Sequence, residues 1–175
     1  MGKIERPPLV KLIIGFIFNQ ENYLLKAKKL LIKKFGKIDF ESEILDFNYT
    51  DYYQKEMGGN LKRKFISFEK LISPSKLTSI KRFTNRIEEK LSKDKKRNVN
   101  IDPGYINLSK LVLASTKDYR HRIYLNKGIF AEVTLFYQNK SFSPLPWTYP
   151  DYKTYPYIEI FNYIRELYKK QIKNK

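Results

Sequence analysis

Side chains that can carry acid–base, metal or phosphate chemistry recur at short intervals in one stretch of the chain, residues 100–152. The candidates chosen from this stretch are Asp102, Lys110, His121, Arg122, Glu132 and Asp151. Carboxylates bind hard cations or move protons, and arginine and lysine bind phosphate. The only histidine and the only tryptophan of the chain also fall here. We therefore expect most of any functional site in this stretch.

The predicted roles follow from residue type. The candidate catalytic residues, which would move protons, are Asp102, His121 and Glu132. The candidate ligand-binding residues, which offer charge or a flat aromatic surface, are Lys110, Arg122, Tyr124, Trp147, Tyr149 and Asp151. Asp102 and Glu132 are also the candidate ligands of a metal ion, for which Mg²⁺ is the expected species because carboxylate oxygens suit it.

Two segments inside the stretch have a clear local pattern. Residues 102–105 (Asp-Pro-Gly-Tyr) have proline and glycine where a type II turn needs them, which predicts a turn that either is purely structural or projects Asp102 toward a ligand. Residues 121–137 predict a β-hairpin around the loop Asn126-Lys127-Gly128. The apolar residues predicted to face the core from this hairpin are Ile123, Leu125, Ile129, Ala131, Val133 and Leu135.

The other face of the predicted hairpin carries the polar residues. Strand alternation places Arg122 and Tyr124 on the same face as Phe130, Glu132 and Thr134. That arrangement is either a solvated cross-strand ion pair or the floor of a pocket. The proline-rich aromatic segment 144–156 is likewise either a cover for the core or an aromatic pocket wall.

The elements that must position these residues follow a mixed pattern. Residues 9–18 predict a buried strand, 21–35 a helix, 40–53 a strand, 62–71 a returning strand, 74–91 a helix and 99–106 a last strand. This order is the ferredoxin-like βαββαβ pattern. The expected fold is therefore α+β in a single domain: a ferredoxin-like part (1–98), the hairpin and aromatic segment with the candidate site (99–155), and a C-terminal helix (156–175).

Composition restricts the class of protein. Apolar residues make up 42% of the chain, with 14 tyrosines and 12 phenylalanines, which favours a folded protein. The absence of cysteine excludes disulfides and thiolate chemistry and suits a reducing cytoplasm. The apolar run at residues 9–18 is too short for a membrane span and lacks a signal cleavage site, so no membrane partner is expected.

The net charge of +17 is large for 175 residues, and both halves of the chain are basic. Such a surface attracts polyanions, although a lysine-rich composition alone would also produce it. No GxxxxGK[ST] loop occurs in the sequence, which excludes a P-loop GTPase.

Several phrases together give the chain a family resemblance: NIDPGYI, KLVLASTKD, RIYL-NKGI-AEVTLFY and PWTYPDY. With these, the chain resembles bacterial domain-of-unknown-function family 4416 over nearly its whole length. Members of that family are sometimes labelled GTP-binding proteins. The resemblance implies no established activity, so no catalytic role carries over from it.

The predicted function is the binding of a phosphate-bearing ligand, a nucleotide, in a pocket of carboxylates and cations in a cytoplasmic protein. One alternative is an RNA-binding module that uses the distributed basic surface, and another is a protein-interaction domain without a small ligand. Whether the protein catalyses a reaction, and its oligomeric state, are left open by the sequence.

Overall fold

The computed structural model describes residues 1–173. In this part of the chain a nine-stranded antiparallel sheet is the main element. Its strands are β1 (Lys11–Phe18), β2 (Ile38–Glu41), β3 (Leu45–Asp46), β4 (Lys62–Phe68), β5 (Val99–Ile106), β6 (Lys110–Ser115), β7 (Ile123–Asn126), β8 (Ile129–Gln138) and β9 (Ser141–Pro144).

Four α-helices accompany the sheet in residues 1–173. They are α1 (Glu21–Phe35), α2 (Gln54–Met57), α3 (Leu77–Leu91) and α4 (Tyr155–Lys173). Within the described residues, every helix is either too short or too polar to cross a membrane. The mixed α+β class expected from the sequence is confirmed.

The strands lie in the order β2-β4-β1-β5-β6-β8-β7, with β3 added to β4 and β9 added to β8. Strand β1 is at the centre of the first part, and all eight of its residues are buried. Its two faces contact different helices because side chains alternate along a strand. Leu12, Ile14 and Phe16 pack with α1 and α3, whereas Ile13 packs with α4.

The predicted strand over residues 40–53 is wrong for most of its length. Only Ile38–Glu41 and Leu45–Asp46 pair with β4, and the chain then leaves the sheet before α2. The alternating aromatic residues that suggested a strand have another environment. Tyr49, Tyr52 and Tyr53 line a cavity rather than one face of a sheet.

The predicted turn at residues 102–105 is also wrong, because β5 continues through it and pairs with β1 along its whole length. Pro103 has no backbone N–H to donate. It is tolerated there because β6 pairs with β5 only from Gly104 onward, so no carbonyl oxygen of β6 needs a donor from residue 103. Gly104 is required by close packing: a Cβ at this position would lie 2.4 Å from the carbonyl oxygen of Val112.

The predicted hairpin is present as β7 and β8, and Lys127 and Gly128 both adopt positive φ in its loop. Its predicted core is only partly correct. Ile123 and Leu125 are exposed, 71% and 41%, because β7 is the last strand of the sheet. On β8, by contrast, Glu132 is buried although it was assigned to the polar face.

A candidate ligand-binding cavity between strands β5 and β6

A cavity of about 470 Å³ opens where β5 and β6 separate. These two strands pair only over Gly104–Ile106 and Leu111–Leu113. Within the described part of the chain, the first half of β5 therefore has β1 on one side and no strand on the other. Side chains of α3, of the loop after β3 and of the segment before α4 line the gap. The volume is within the usual range for small-molecule sites.

The floor of the cavity contains an ion pair that spans the central strand. Arg63 of β4 and Asp102 of β5 lie on either side of β1, and Arg63 Nη1 donates to Asp102 Oδ2 at 3.2 Å. Gly15 of β1 lies between them and leaves room for the arginine. A Cβ on this glycine would be 3.4 Å from Arg63 Nη2 and 3.0 Å from the ring of Phe65.

The guanidinium of Arg63 is fully buried among aromatic rings. Its centre is 4.8 Å from the ring centroid of Phe65 and 5.1 Å from that of Tyr152. Arg63 Nη2 donates to the Tyr152 hydroxyl at 2.7 Å and lies 3.6 Å from Asp151 Oδ2. Burial raises the pKa of Asp151, although the charge of Arg63 opposes this effect. The positive charge of Arg63 thus compensates the negative charges of two cavity carboxylates, Asp102 and Asp151.

Two side chains of α3 form hydrogen bonds with backbone groups of β5 that do not pair with β6. Glu88 Oε1 accepts the backbone N–H of Ile101 at 2.6 Å, and Lys81 Nζ donates to the carbonyl oxygen of Ile101 at 3.0 Å. Lys81 Nζ also lies 4.0 Å from Asp102 Oδ1. Burial raises the pKa of Glu88 to about 7, even though the nearby charge of Lys81 lowers it.

A chain of hydrogen bonds connects Asp102 to α2. Asn100 Nδ2 donates to Asp102 Oδ2 at 2.9 Å, and Asn100 Oδ1 accepts from Arg97 Nη1 at 2.8 Å. Arg97 in turn donates from Nε and Nη2 to the two oxygens of Glu56, at 2.9 and 2.6 Å. This paired geometry fixes the orientation of Arg97 at the cavity wall.

Tyrosines surround the mouth of the cavity. Tyr49, Tyr52 and Tyr149 are exposed, and Tyr53 is partly buried. The Lys117 ammonium donates to the Tyr52 hydroxyl at 2.7 Å, which joins the loop after β6 to the loop before α2. That hydrogen bond lowers the pKa of Tyr52. The side chain of Tyr149 is exposed as a whole, but desolvation of its hydroxyl raises the pKa of this residue to about 12. The mouth therefore offers flat aromatic surfaces beside a cation.

Glu132 is the buried carboxylate on the β8 side of the cavity. Its Oε2 accepts from Arg122 Nε at 2.8 Å and lies 3.2 Å from His121 Nε2, while its Oε1 accepts from the Thr134 hydroxyl at 3.1 Å. Arg122 also donates to the Tyr149 hydroxyl. Arg122 and Glu132 share a face, as strand alternation predicts, and the pair closes one wall of the cavity.

The residues predicted from the sequence fall into three groups. Those that line the cavity are Asp102, Glu132, Tyr149 and Asp151. His121 and Arg122 lie behind the wall and contact the cavity through Glu132.

The remaining predicted residues, Lys110, Tyr124 and Trp147, do not line the cavity. Lys110 is at the far end of β6 from the gap, where it pairs with Phe136. Tyr124 is an exposed residue of the edge strand β7. Trp147 stacks on His121, with ring centroids 5.4 Å apart, and its indole N–H donates to the carbonyl oxygen of Val133.

Sequence reasoning missed the cavity residues of the first half of the chain, namely Arg63, Lys81, Glu88, Arg97 and the tyrosines at positions 49, 52 and 53. One signal was available for Arg63: strand alternation places it on the same face as Phe65, a position typical of a buried residue. Lys81 and Glu88 flank the apolar stripe of α3, and no local pattern marks them as cavity residues.

In residues 1–173, no three histidine, aspartate or glutamate side chains are grouped so that they could hold a metal ion. The two candidate metal ligands already have other partners: Asp102 accepts from Arg63 and Asn100, and Glu132 accepts from Arg122. A cation bound at either carboxylate would therefore lie close to an arginine.

Comparison with known proteins gives one informative match. No curated protein and no solved structure matches the chain. A family model described as "Domain of unknown function (DUF4416)" matches residues 8–168, and the chain therefore belongs to this family.

Proposed function

We propose that the cavity between β5 and β6 binds a small phosphate-bearing ligand, and that this ligand is a nucleotide. The observation that carries the proposal is the incomplete hydrogen bonding of the Lys81 ammonium. Lys81 is buried at the cavity wall, yet Ile101 O is its only hydrogen-bond acceptor among residues 1–173. An ammonium has three N–H donors, so two are free for an anion in the cavity.

A second buried lysine shows how such a group is satisfied when no ligand is needed. Lys11 donates to three acceptors: Asp39, the carbonyl oxygen of Phe68 at 3.2 Å and Gln171 Oε1 at 2.6 Å. Buried polar groups normally find partners, because an unpaired one is energetically costly. The difference between the two lysines supports an oxyanion as the missing partner of Lys81.

The mouth of the cavity supports a nucleotide rather than inorganic phosphate alone. Tyr49, Tyr52 and Tyr149 offer exposed rings on which a base can stack, and base–aromatic stacking stabilises a complex without sequence preference. Lys117 lies at the same mouth, where it can contact a second phosphate. Mg²⁺, the cation expected with a nucleotide, would be held mainly by the phosphates, because Asp102 and Glu132 are already paired with arginines.

A thermal-shift screen of nucleotides, with and without Mg²⁺, tests the proposal. At least one nucleotide should raise the melting temperature of the wild-type protein, and Lys81→Met should abolish the shift. Lys90→Met is the matched control, since Lys90 is an exposed lysine of the same helix. No stabilisation by any nucleotide, or an undiminished shift in Lys81→Met, would refute the proposal.

A second candidate function, RNA binding, rests on a different observation. Lys26, Lys29 and Lys33 of α1 are all exposed and form one cationic row on the outer surface. Such a row can contact successive phosphates of a nucleic acid. Binding to RNA that weakens steeply with added salt would favour this function, and weak binding insensitive to salt would exclude it.

We also propose a ferredoxin-like arrangement of the first part of the fold and a cytoplasmic location. The strand order β2-β4-β1-β5, with α1 and α3 packed on one face, supports a ferredoxin-like arrangement of the first part. The absence of cysteine supports a cytoplasmic location, where a reducing environment removes any use for disulfides.

A further inference from the structure

The two oxygens of the Glu88 carboxyl have different environments. Oε1 accepts the Ile101 N–H at 2.6 Å. Oε2 has no hydrogen-bond partner among residues 1–173, and the only cation within 4.0 Å of it is Arg97 Nη1, at 3.8 Å. The side chain is 9% exposed and lines the cavity. Oε2 is therefore the part of Glu88 that a ligand can reach.

Little positive charge near Glu88 is available to compensate its carboxylate when it is ionised. The charged groups that act on Glu88 are the cations Lys81 of α3 and Arg97 of the following loop, and the carboxylate of Asp102 on β5. Other charged residues line the same cavity, namely Arg63, Lys117, Glu132 and Asp151. Of the two cations that act on Glu88, Arg97 is already paired with Glu56 through two hydrogen bonds. Lys81 is the remaining cation, and Glu88 shares it with Asp102, which also accepts from Arg63.

An ionised Glu88 would oppose the anion binding proposed above. A second carboxylate beside Lys81 would cancel its charge and repel any phosphate oxygen that approached. A protonated carboxyl has the opposite effect, because it adds one O–H donor next to the two free N–H donors of Lys81.

We propose that Glu88 enters the complex as a carboxylic acid and donates a hydrogen bond from Oε2 to an oxygen of the bound oxyanion. This inference rests on the proposed anion binding and assigns the ligand class more narrowly: an oxyanion that accepts from Glu88 and Lys81 together. The proton comes from solvent, so binding takes up one proton and breaks no covalent bond. Burial gives this carboxyl a pKa of about 7, which keeps protonation accessible near neutrality.

The proposal predicts when proton uptake should be observed. A bound anion stabilises the protonated form further, so the pKa of Glu88 rises on binding. At about pH 8 the free carboxyl is mostly ionised and must take up a proton, whereas at about pH 6 it already carries one. Uptake should therefore be close to one proton at the higher pH and small at the lower pH.

Isothermal titration calorimetry in buffers with different ionisation enthalpies measures this proton count. The probes are ADP and inorganic sulfate, titrated at about pH 6 and about pH 8. Wild type should take up about one proton per bound anion at the higher pH. Glu88→Gln, which keeps the acceptor for Ile101 N–H, should take up none. Glu89→Gln, at the exposed neighbouring position, should behave as wild type.

The outcomes separate this inference from the proposed function. Binding without proton uptake, or equal uptake in Glu88→Gln, would overturn the inference and leave anion binding in place. No binding of either probe at either pH would overturn both. ¹³C NMR of the carboxyl groups in the ligand-free wild type provides a test without any variant: Glu88 should titrate near neutrality, and a carboxyl ionised throughout this range would refute the proposal.

Discussion

Arg122 Nε donates to Glu132 Oε2 at 2.8 Å, and both side chains are buried, Glu132 in the wall of the cavity and Arg122 behind it. Arg122 also donates to the Tyr149 hydroxyl at the cavity mouth and to the carbonyl oxygen of Lys117. One guanidinium thus fixes a buried carboxylate and two parts of the mouth. Since each of its three nitrogens already donates a hydrogen bond, Arg122 supports the cavity by positioning its lining residues.

Removal of Arg122 should destabilise the protein. Arg122→Ala leaves the buried Glu132 carboxylate with His121 and Thr134 as its partners, and an uncompensated buried charge typically costs about 3 kcal/mol or more. Urea denaturation would measure the loss in the free energy of unfolding. Arg120→Ala, an exposed neighbour, should change it by less than about 0.5 kcal/mol. Equal stabilities of the two variants would contradict this role of Arg122.

Gly104 should be intolerant of any side chain. A Cβ there would lie 2.4 Å from the Val112 carbonyl oxygen and 2.7 Å from a methyl group of Leu113, and the backbone oxygen cannot move without disturbing the pairing of β5 with β6. Gly104→Ala should lower the free energy of unfolding by about 2 kcal/mol or more.

Gly59→Ala provides the matched control for this substitution. Apart from its own chain neighbours, no atom of residues 1–173 lies within 4 Å of a Cβ at Gly59, so its effect should stay within about 0.5 kcal/mol. Chemical denaturation of both variants makes the comparison. A Gly104→Ala protein as stable as Gly59→Ala would show that β6 can shift away from β5, and so contradict the close packing.

The parts of the fold that were predictable have strong local periodicity. The apolar run of β1, the stripe of Leu24, Ala27 and Leu31 in α1, and the hairpin loop at Lys127 are all present as the sequence indicates. Each of these signals depends on residues close together in the chain. Their periodicity places apolar side chains on one face of the element, and that face is then buried.

The cavity was only half predictable because it forms where two strands fail to pair. Sequence patterns identified Asp102, Glu132, Tyr149 and Asp151 on the later half of the chain. The cationic partners of Asp102 and Asp151 come from β4 and α3, and only the tertiary structure brings Arg63 or Lys81 to the same place. The proline and glycine in β5 suggested a turn for a related reason: both residues mark the point where the neighbouring strand begins.

Glu88 should make stability depend on pH. Burial raises its pKa in the folded protein to about 7 from the ordinary value of 4.5, so the folded state keeps this proton to a higher pH than the unfolded chain. The stability from this group is complete below about pH 4.5 and is lost as the pH rises to about 7, by about 3 kcal/mol.

Denaturation of wild type and Glu88→Gln across this pH range would test the expectation. The glutamine cannot ionise, so the free energy of unfolding of Glu88→Gln, relative to wild type, should increase from about pH 4.5 to about pH 7 and then stay constant. Glu89→Gln should show no such trend, because Glu89 is exposed. A difference that is flat with pH would mean that Glu88 is ionised in the folded state.

The basic row on α1 separates the two candidate functions. Lys26, Lys29 and Lys33 are exposed on the outer surface of α1, and none of them lines the cavity. Replacing all three by glutamate should therefore leave the thermal shift caused by ADP unchanged. If the row contacts RNA, the same variant should bind RNA more weakly, and its salt dependence should fall by about one phosphate contact per lysine. Loss of the ADP shift together with RNA affinity would instead place both ligands on α1 and contradict the cavity as the nucleotide site.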